Sequence, residues 1–144
     1  MFFVYDSIRT QMKRKKFEYE KAPDVRLRAI KLIKNLQLNY LQVDRLFFYR
    51  SSGSKARAYA RAWGLPKLWQ NALGIEPAYI IEVLSNHFDK LSTREQDKVI
   101  LHELTHIPRN FSGALVAHTR RRKGSFKDKL DNLIDIYMRD KRIK

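Results

Sequence analysis

Two histidines four residues apart, His102 and His106, interrupt the apolar run formed by Val99, Ile100, Leu101 and Leu104, and this constrains the fold more than any other feature. On a helix of about 3.6 residues per turn, positions 102 and 106 share one face. The apolar neighbours require that helix to pack on a core, where the two imidazoles and the carboxylate of Glu103 need partners. Such a pair can arise by accident on a solvated helix. Inside the most apolar helix of the chain, one ion that satisfies both rings is the better explanation. Ser92-Thr93-Arg94-Glu95 is a capping box, and Pro108 stops the helix while disfavouring helical geometry at Ile107. The motif helix is therefore predicted over residues 92–107.

The chain has four histidines and no cysteine, so any metal must sit on nitrogen and oxygen ligands. A catalytic Zn2+ commonly takes three protein ligands and leaves a fourth position for water. His118 is the expected third ligand, since Pro108 and Gly113 let the chain leave the helix and fold back. Asp128, Asp131 and His87 are the alternatives. Glu103, offset from the ligand face, is placed to act as general base toward the activated water. The pattern predicts a zinc-dependent hydrolase of the metallopeptidase type acting on a peptide or protein substrate. Tyr59, Arg57, Arg61 and Arg120 are candidates for stabilising the oxyanion, although a solvent-facing strand surface explains the first three equally well.

Around the motif, the sequence predicts an α+β domain spanning 1–144. Residues 1–22 read as a basic extension without a clear period. Ala22-Pro23-Asp24 looks like a helix entry, and Leu27, Ile30, Ile33 and Leu36 return at helical spacing, giving a helix over 23–38. Residues 43–84 read as three strands. The first runs from Val43 to Tyr49, the second alternates Ala56, Ala58, Ala60, Ala62 against Arg57, Tyr59, Arg61, Trp63, and the third spans Ala78 to Leu84. The segment with Trp69 and Gly74 reads as a loop. If the third strand lies at the sheet edge, its open backbone groups are available to an extended peptide. After Gly124, Ser125 and Asp128 open a final helix over 125–140 with Phe126, Leu130, Leu133, Ile134 and Tyr137 as its apolar stripe.

His102-Glu103-Leu104-Thr105-His106-Ile107-Pro108, followed by Gly113 and His118, resembles the motif region of the phage-type metallopeptidase family, minimal zincin-like proteins with remoter similarity to SprT-like proteases. The resemblance extends upstream to Ala22-Pro23-Asp24 and the strands, covering about residues 17–126. It implies a small, mostly antiparallel three-stranded sheet on the motif helix, flanked by an N-terminal and a C-terminal helix. It further implies that His102, His106 and His118 bind zinc and that Glu103 is the catalytic acid and base. Arg109 and Ser112 stand where a metzincin has glycine and histidine, and no glutamate follows Glu103, as a gluzincin would require.

Thirty Lys and Arg against fifteen Asp and Glu leave a net charge of +15. That excess attracts polyanions, and much of it sits in Lys13-Arg14-Lys15-Lys16 and Arg120-Arg121-Arg122-Lys123. The alternative function is accordingly a basic nucleic-acid-binding or regulatory module whose metal site is structural or vestigial. No apolar stretch approaches the roughly 20 residues needed to cross a bilayer, and the start does not read as a secretion signal, so no membrane partner and a cytoplasmic setting are expected.

Overall fold

The computed structural model describes residues 16–118 and 126–143. Its order is β1 (Glu18–Lys21), α1 (Pro23–Asn35), β2 (Leu46–Ser52), β3 (Ala60–Gly64), α2 (Lys67–Leu73), β4 (Tyr79–Leu84), α3 (Ser85–Phe88), α4 (Thr93–Thr105) and α5 (Phe126–Ile143). The architecture is α+β, as expected, but the sheet has four strands in the order β1-β2-β4-β3 and is mixed. β2 runs parallel to β4, while β1 on β2 and β3 on β4 are antiparallel.

Three features correct the sequence-based expectation. Residues 18–21, inside the supposed extension, form β1, an edge strand exposed on both faces whose apolar period is too short to register. Residues 67–73 form a helix with no buried residue, so no amphipathic stripe announced it. The third predicted strand, now β4, lies in the sheet interior between β2 and β3, and the edge toward the motif helix belongs to β3. A buried position also explains its near-continuous apolar sequence.

Alternation along each strand sorts side chains to two faces. Leu46 and Phe48 of β2, Ala60 of β3, and Tyr79, Ile81 and Val83 of β4 point inward. They meet Val25, Ala29, Leu32 and Ile33 of α1 and Ile100, Leu101 and Leu104 of α4. The face of α1 that packs is therefore not centred on Leu27, which is 67% exposed. Pro23 occupies the first turn of α1, where a missing N–H is harmless. The Ser92 hydroxyl accepts the Glu95 N–H at 3.2 Å and opens α4 as the capping box requires.

Asp97 ties the three long helices together. One carboxylate oxygen receives Arg28 Nε of α1 at 3.0 Å, and the other receives the Tyr137 hydroxyl of α5 at 2.5 Å. Charged and hydroxyl donors thus satisfy a mostly buried carboxylate and fix the roll of α4.

On the other side of the sheet, Glu82 of β4 is 1% exposed. It accepts Trp63 Nε1 at 2.8 Å and Arg61 Nη2 at 3.1 Å, both from β3. Burial alone would raise its pKa, but the Ser51 hydroxyl, Arg61 and Trp63 outweigh it and hold the carboxyl below its ordinary 4.5. Because the folded value is depressed, the stability Glu82 contributes is complete above pH 4.5 and is lost as pH falls through the folded pKa. Urea unfolding of the parent chain should therefore weaken steeply below that pH, and Glu82→Gln should show a flatter decline. Parallel curves for the two chains would assign the acid sensitivity elsewhere.

Candidate metal centre

The motif helix delivers two of the three imidazoles, and a return of the chain delivers the third. α4 ends at Thr105, with His106 as its cap and Pro108 two residues on. The last turn tightens, since His106 N–H donates to Glu103 C=O and Ile107 N–H to Leu104 C=O, each at 3.1 Å. Phe111 and Gly113 then take positive φ of 48° and 96° and reverse the chain. Val116 comes to lie beside His106, donating its N–H to the His106 carbonyl at 2.7 Å and accepting His106 Nδ1–H on its own carbonyl at 2.7 Å. Two residues later stands His118.

The returning segment is fastened to the sheet. The Tyr79 hydroxyl donates to Ala114 C=O and accepts Gly113 N–H, both at 2.7 Å. Gln70 of α2 donates from Nε2 to Leu65 C=O at 2.8 Å and to Ser112 C=O at 2.9 Å. Gly64 at the end of β3 lies so close to the segment that a Cβ there would sit 2.0 Å from the Gly113 carbonyl oxygen. Both elements absent from the sequence-based reading of residues 64–74, the tight glycine approach and α2, thus serve the loop that carries His118.

His102, His106 and His118 offer ring nitrogens that all lie within 4.8 Å of one another. Ring centroids are separated by 5.1 Å (102 to 106), 5.0 Å (102 to 118) and 4.4 Å (106 to 118). Nε2 of His102 and Nε2 of His118 face each other at 2.9 Å. With the proton of His106 held on Nδ1 by Val116, its Nε2 is the nitrogen that presents a lone pair. Three converging imidazoles, one with its tautomer fixed by a backbone carbonyl, suit a divalent ion of the zinc class.

Electrostatics agree with that use. Burial, then the charges of His106 and His118, lower the His102 pKa to about 4. Burial also lowers that of His106, ahead of the opposing bond to Val116. Both rings are therefore neutral near pH 7, the form that binds metal. Glu103, 7% exposed, is pushed up to about 7 by burial, against the pull of the Ala62 N–H that its carboxylate accepts. A carboxyl poised there exchanges protons readily at neutral pH.

The other candidate residues fall in different places. Tyr59 lines a cavity of about 310 Å³ together with His102 and Glu103, and its ring meets His87 edge-on at 6.3 Å. His87 itself lies on α3, outside the histidine cluster. Arg61 is turned to the opposite face of the sheet, where it pairs with Glu82. Arg57 is exposed in the segment leading into β3, and Asp131 is exposed on α5. Arg120 and the side chain of Asp128 lie outside the described residues, as do residues 121–123 of the second basic run.

Sequence reasoning missed the Ala62 N–H, the Val116 carbonyl and Tyr79. The first two are backbone groups, which any residue type supplies and no motif marks. The remaining walls of the 310 Å³ cavity include Ala60, Val99, Leu130 and Ile134, so the C-terminal helix borders the centre.

This α+β layout around a three-histidine cluster is that of a metallopeptidase domain. The chain matches the family described as Putative phage metallopeptidase over residues 17–132 and belongs to it. Membership implies a peptidase activity that depends on a metal ion. No curated protein and no solved structure is detectably similar to the chain.

Because Gly64 abuts the loop that presents His118, Gly64→Ala should displace that loop. The variant should bind a divalent metal ion roughly 10-fold to 100-fold more weakly, the range found when the supports of a ligand are lost. A competition titration with a chromophoric chelator measures this, with far-UV circular dichroism as the control for folding. Unchanged affinity in a folded variant would show that the close approach does not position His118.

Proposed function

We propose that the chain is a zinc-dependent peptidase in which His102, His106 and His118 hold the ion and Glu103 is the general base. The observation that carries this reading is the convergence of three imidazoles beside a buried carboxyl with a pKa near neutrality. Zinc is favoured because the donor set is nitrogen only and tetrahedral coordination leaves one position open. When bound, the ion supplies Lewis acidity that activates water and polarises a carbonyl.

The residues of the chain do the rest. Glu103 accepts a proton from the attacking water, and its raised pKa lets it pass that proton to the departing amine. The Tyr59 hydroxyl is the candidate donor to the tetrahedral oxyanion, since Tyr59 lines the same cavity as His102 and Glu103. An extended peptide would pair along the outer edge of β3, beside the Ala62 N–H that Glu103 accepts. Leu84 N–H bonds Tyr59 C=O and Leu65 N–H bonds Ala78 C=O, so residues 59, 61, 63 and 65 turn their backbone groups to β4. By alternation Ala60 and Ala62 turn theirs outward, toward the side where Glu103 meets the Ala62 N–H.

Glu103→Gln should retain zinc and lose roughly 10²-fold to 10⁴-fold of the cleavage rate on an unfolded protein substrate. Elemental analysis and a gel-based cleavage assay measure the two quantities. Equal residual cleavage by parent and variant would identify a contaminating protease and leave a binding module with a vestigial site.

The cavity bounded by Val99, Leu130 and Ile134 would receive a substrate side chain next to the scissile bond, and its walls favour a large apolar one. Leu130→Trp fills it. That variant should cleave beside large apolar residues about tenfold more slowly and keep its rate beside alanine and glycine, as read by mass spectrometry of digested casein. Identical cleavage maps would place the substrate elsewhere.

A further inference from the structure

Among the described residues, the face of the sheet turned away from the helices carries exposed rings along most of its width. Tyr19 of β1, Phe47 and Tyr49 of β2, Ile80 of β4 and Trp63 of β3 alternate onto it. Tyr19 is 59% exposed, Trp63 47%, Phe47 44% and Ile80 39%, while Tyr49 is half-buried. Tyr19, Tyr49, Trp63 and Ile80 line a depression of about 360 Å³ with Glu82 at its floor. Phe17 meets Tyr19 edge-on at 4.7 Å just before β1.

Charge selects the kind of molecule that fits such a face. Its strands contribute one acid, Glu82, which is buried and bonded to Arg61, while Glu18 and Glu20 alternate to the other side. Lys21 shares the face with Tyr49 by register and is exposed. Exposed Lys55 and Arg57 stand in the segment leading into β3, and exposed Lys16 directly precedes Phe17 in the chain. The guanidinium of Arg61 lies 5.5 Å from the Trp63 ring centroid. Rings spread over a platform with cations around it, on a chain of net charge +15, match a ligand that carries both π-faces and phosphates.

We propose that this outer face binds a single-stranded polynucleotide, its bases stacked on Tyr19, Phe47 and Trp63 and its phosphates met by the surrounding Lys and Arg. A duplex hides its base faces and fits the platform less well, and an apolar peptide or second protein copy makes no use of the charge. The site is independent of the metal centre, because Arg61 and Trp63 point away from the side of β3 that Glu103 reaches.

The full-length chain should bind a fluorescein-labelled oligo(dT) of about 15 nucleotides, detected by anisotropy at about 0.1 M salt. Tyr19→Ala combined with Phe47→Ala, both exposed positions, should weaken binding by about tenfold or more. In a Trp69→Phe background, which leaves Trp63 as the only tryptophan, saturating oligo(dT) should quench the Trp63 emission. Binding by the double variant within twofold of the parent would mean that charge alone attracts the strand, and the proposal fails. It fails equally if Trp63 emission is unaltered at saturation. A parent chain that ignores oligo(dT) but forms a dimer which the double substitution dissociates would make the face a self-association surface and overturn the proposal.

Discussion

A helix that ends at His106 can offer two imidazoles to an ion but not a third, so the centre depends on how the chain returns after Pro108. The reciprocal pairing of His106 with Val116 solves this with the backbone and ring groups of His106 itself. One bond aligns the returning stretch of chain, and the other fixes which nitrogen of His106 faces the histidine cluster. The same two contacts thus set both the position of His118 and the tautomer of His106. Tyr79, Gln70 and Gly64 keep the intervening loop against the sheet, so the geometry of the histidine cluster is inherited from β3 and β4 rather than from the loop alone.

What the sequence made legible follows from where its signals come from. His102, Glu103 and His106 were readable because helical spacing converts directly into spatial proximity. The clustering of His118 with them rested on a turn inferred from Pro108 and Gly113, and the structure does bring the three rings together. The motif helix and the C-terminal helix were found near their observed limits, since each carries a long apolar stripe. β1 was not readable: four residues exposed on both faces have no hydrophobic period to detect. α2 escaped for the related reason that none of its residues is buried.

Strand order was the least accessible quantity. β4 has the composition of an interior strand, Tyr79 to Leu84 being apolar except for Glu82. Glu82 is tolerated in the interior because Arg61 and Trp63 of the neighbouring strand converge on it, a pairing visible only once β3 and β4 are known to be adjacent. The parallel pairing of β2 with β4 has no local signature either, because it joins segments separated by both β3 and α2.

The alternation of alanine with large residues in β3 now has a physical meaning beyond marking a strand. Ala60 and Ala62 face the motif helix, and their small side chains let α4 approach closely enough for Glu103 to take the Ala62 N–H. A larger residue at either position would push the helix away and open the carboxyl to water, removing the burial that raises its pKa. Arg61 and Trp63, on the reverse side, are large, bonding Glu82 and extending the aromatic platform. One edge strand therefore separates the cleft that holds Glu103 from an aromatic surface flanked by basic residues, and the period of two that divides its residues keeps the chemistry of one face from perturbing the other.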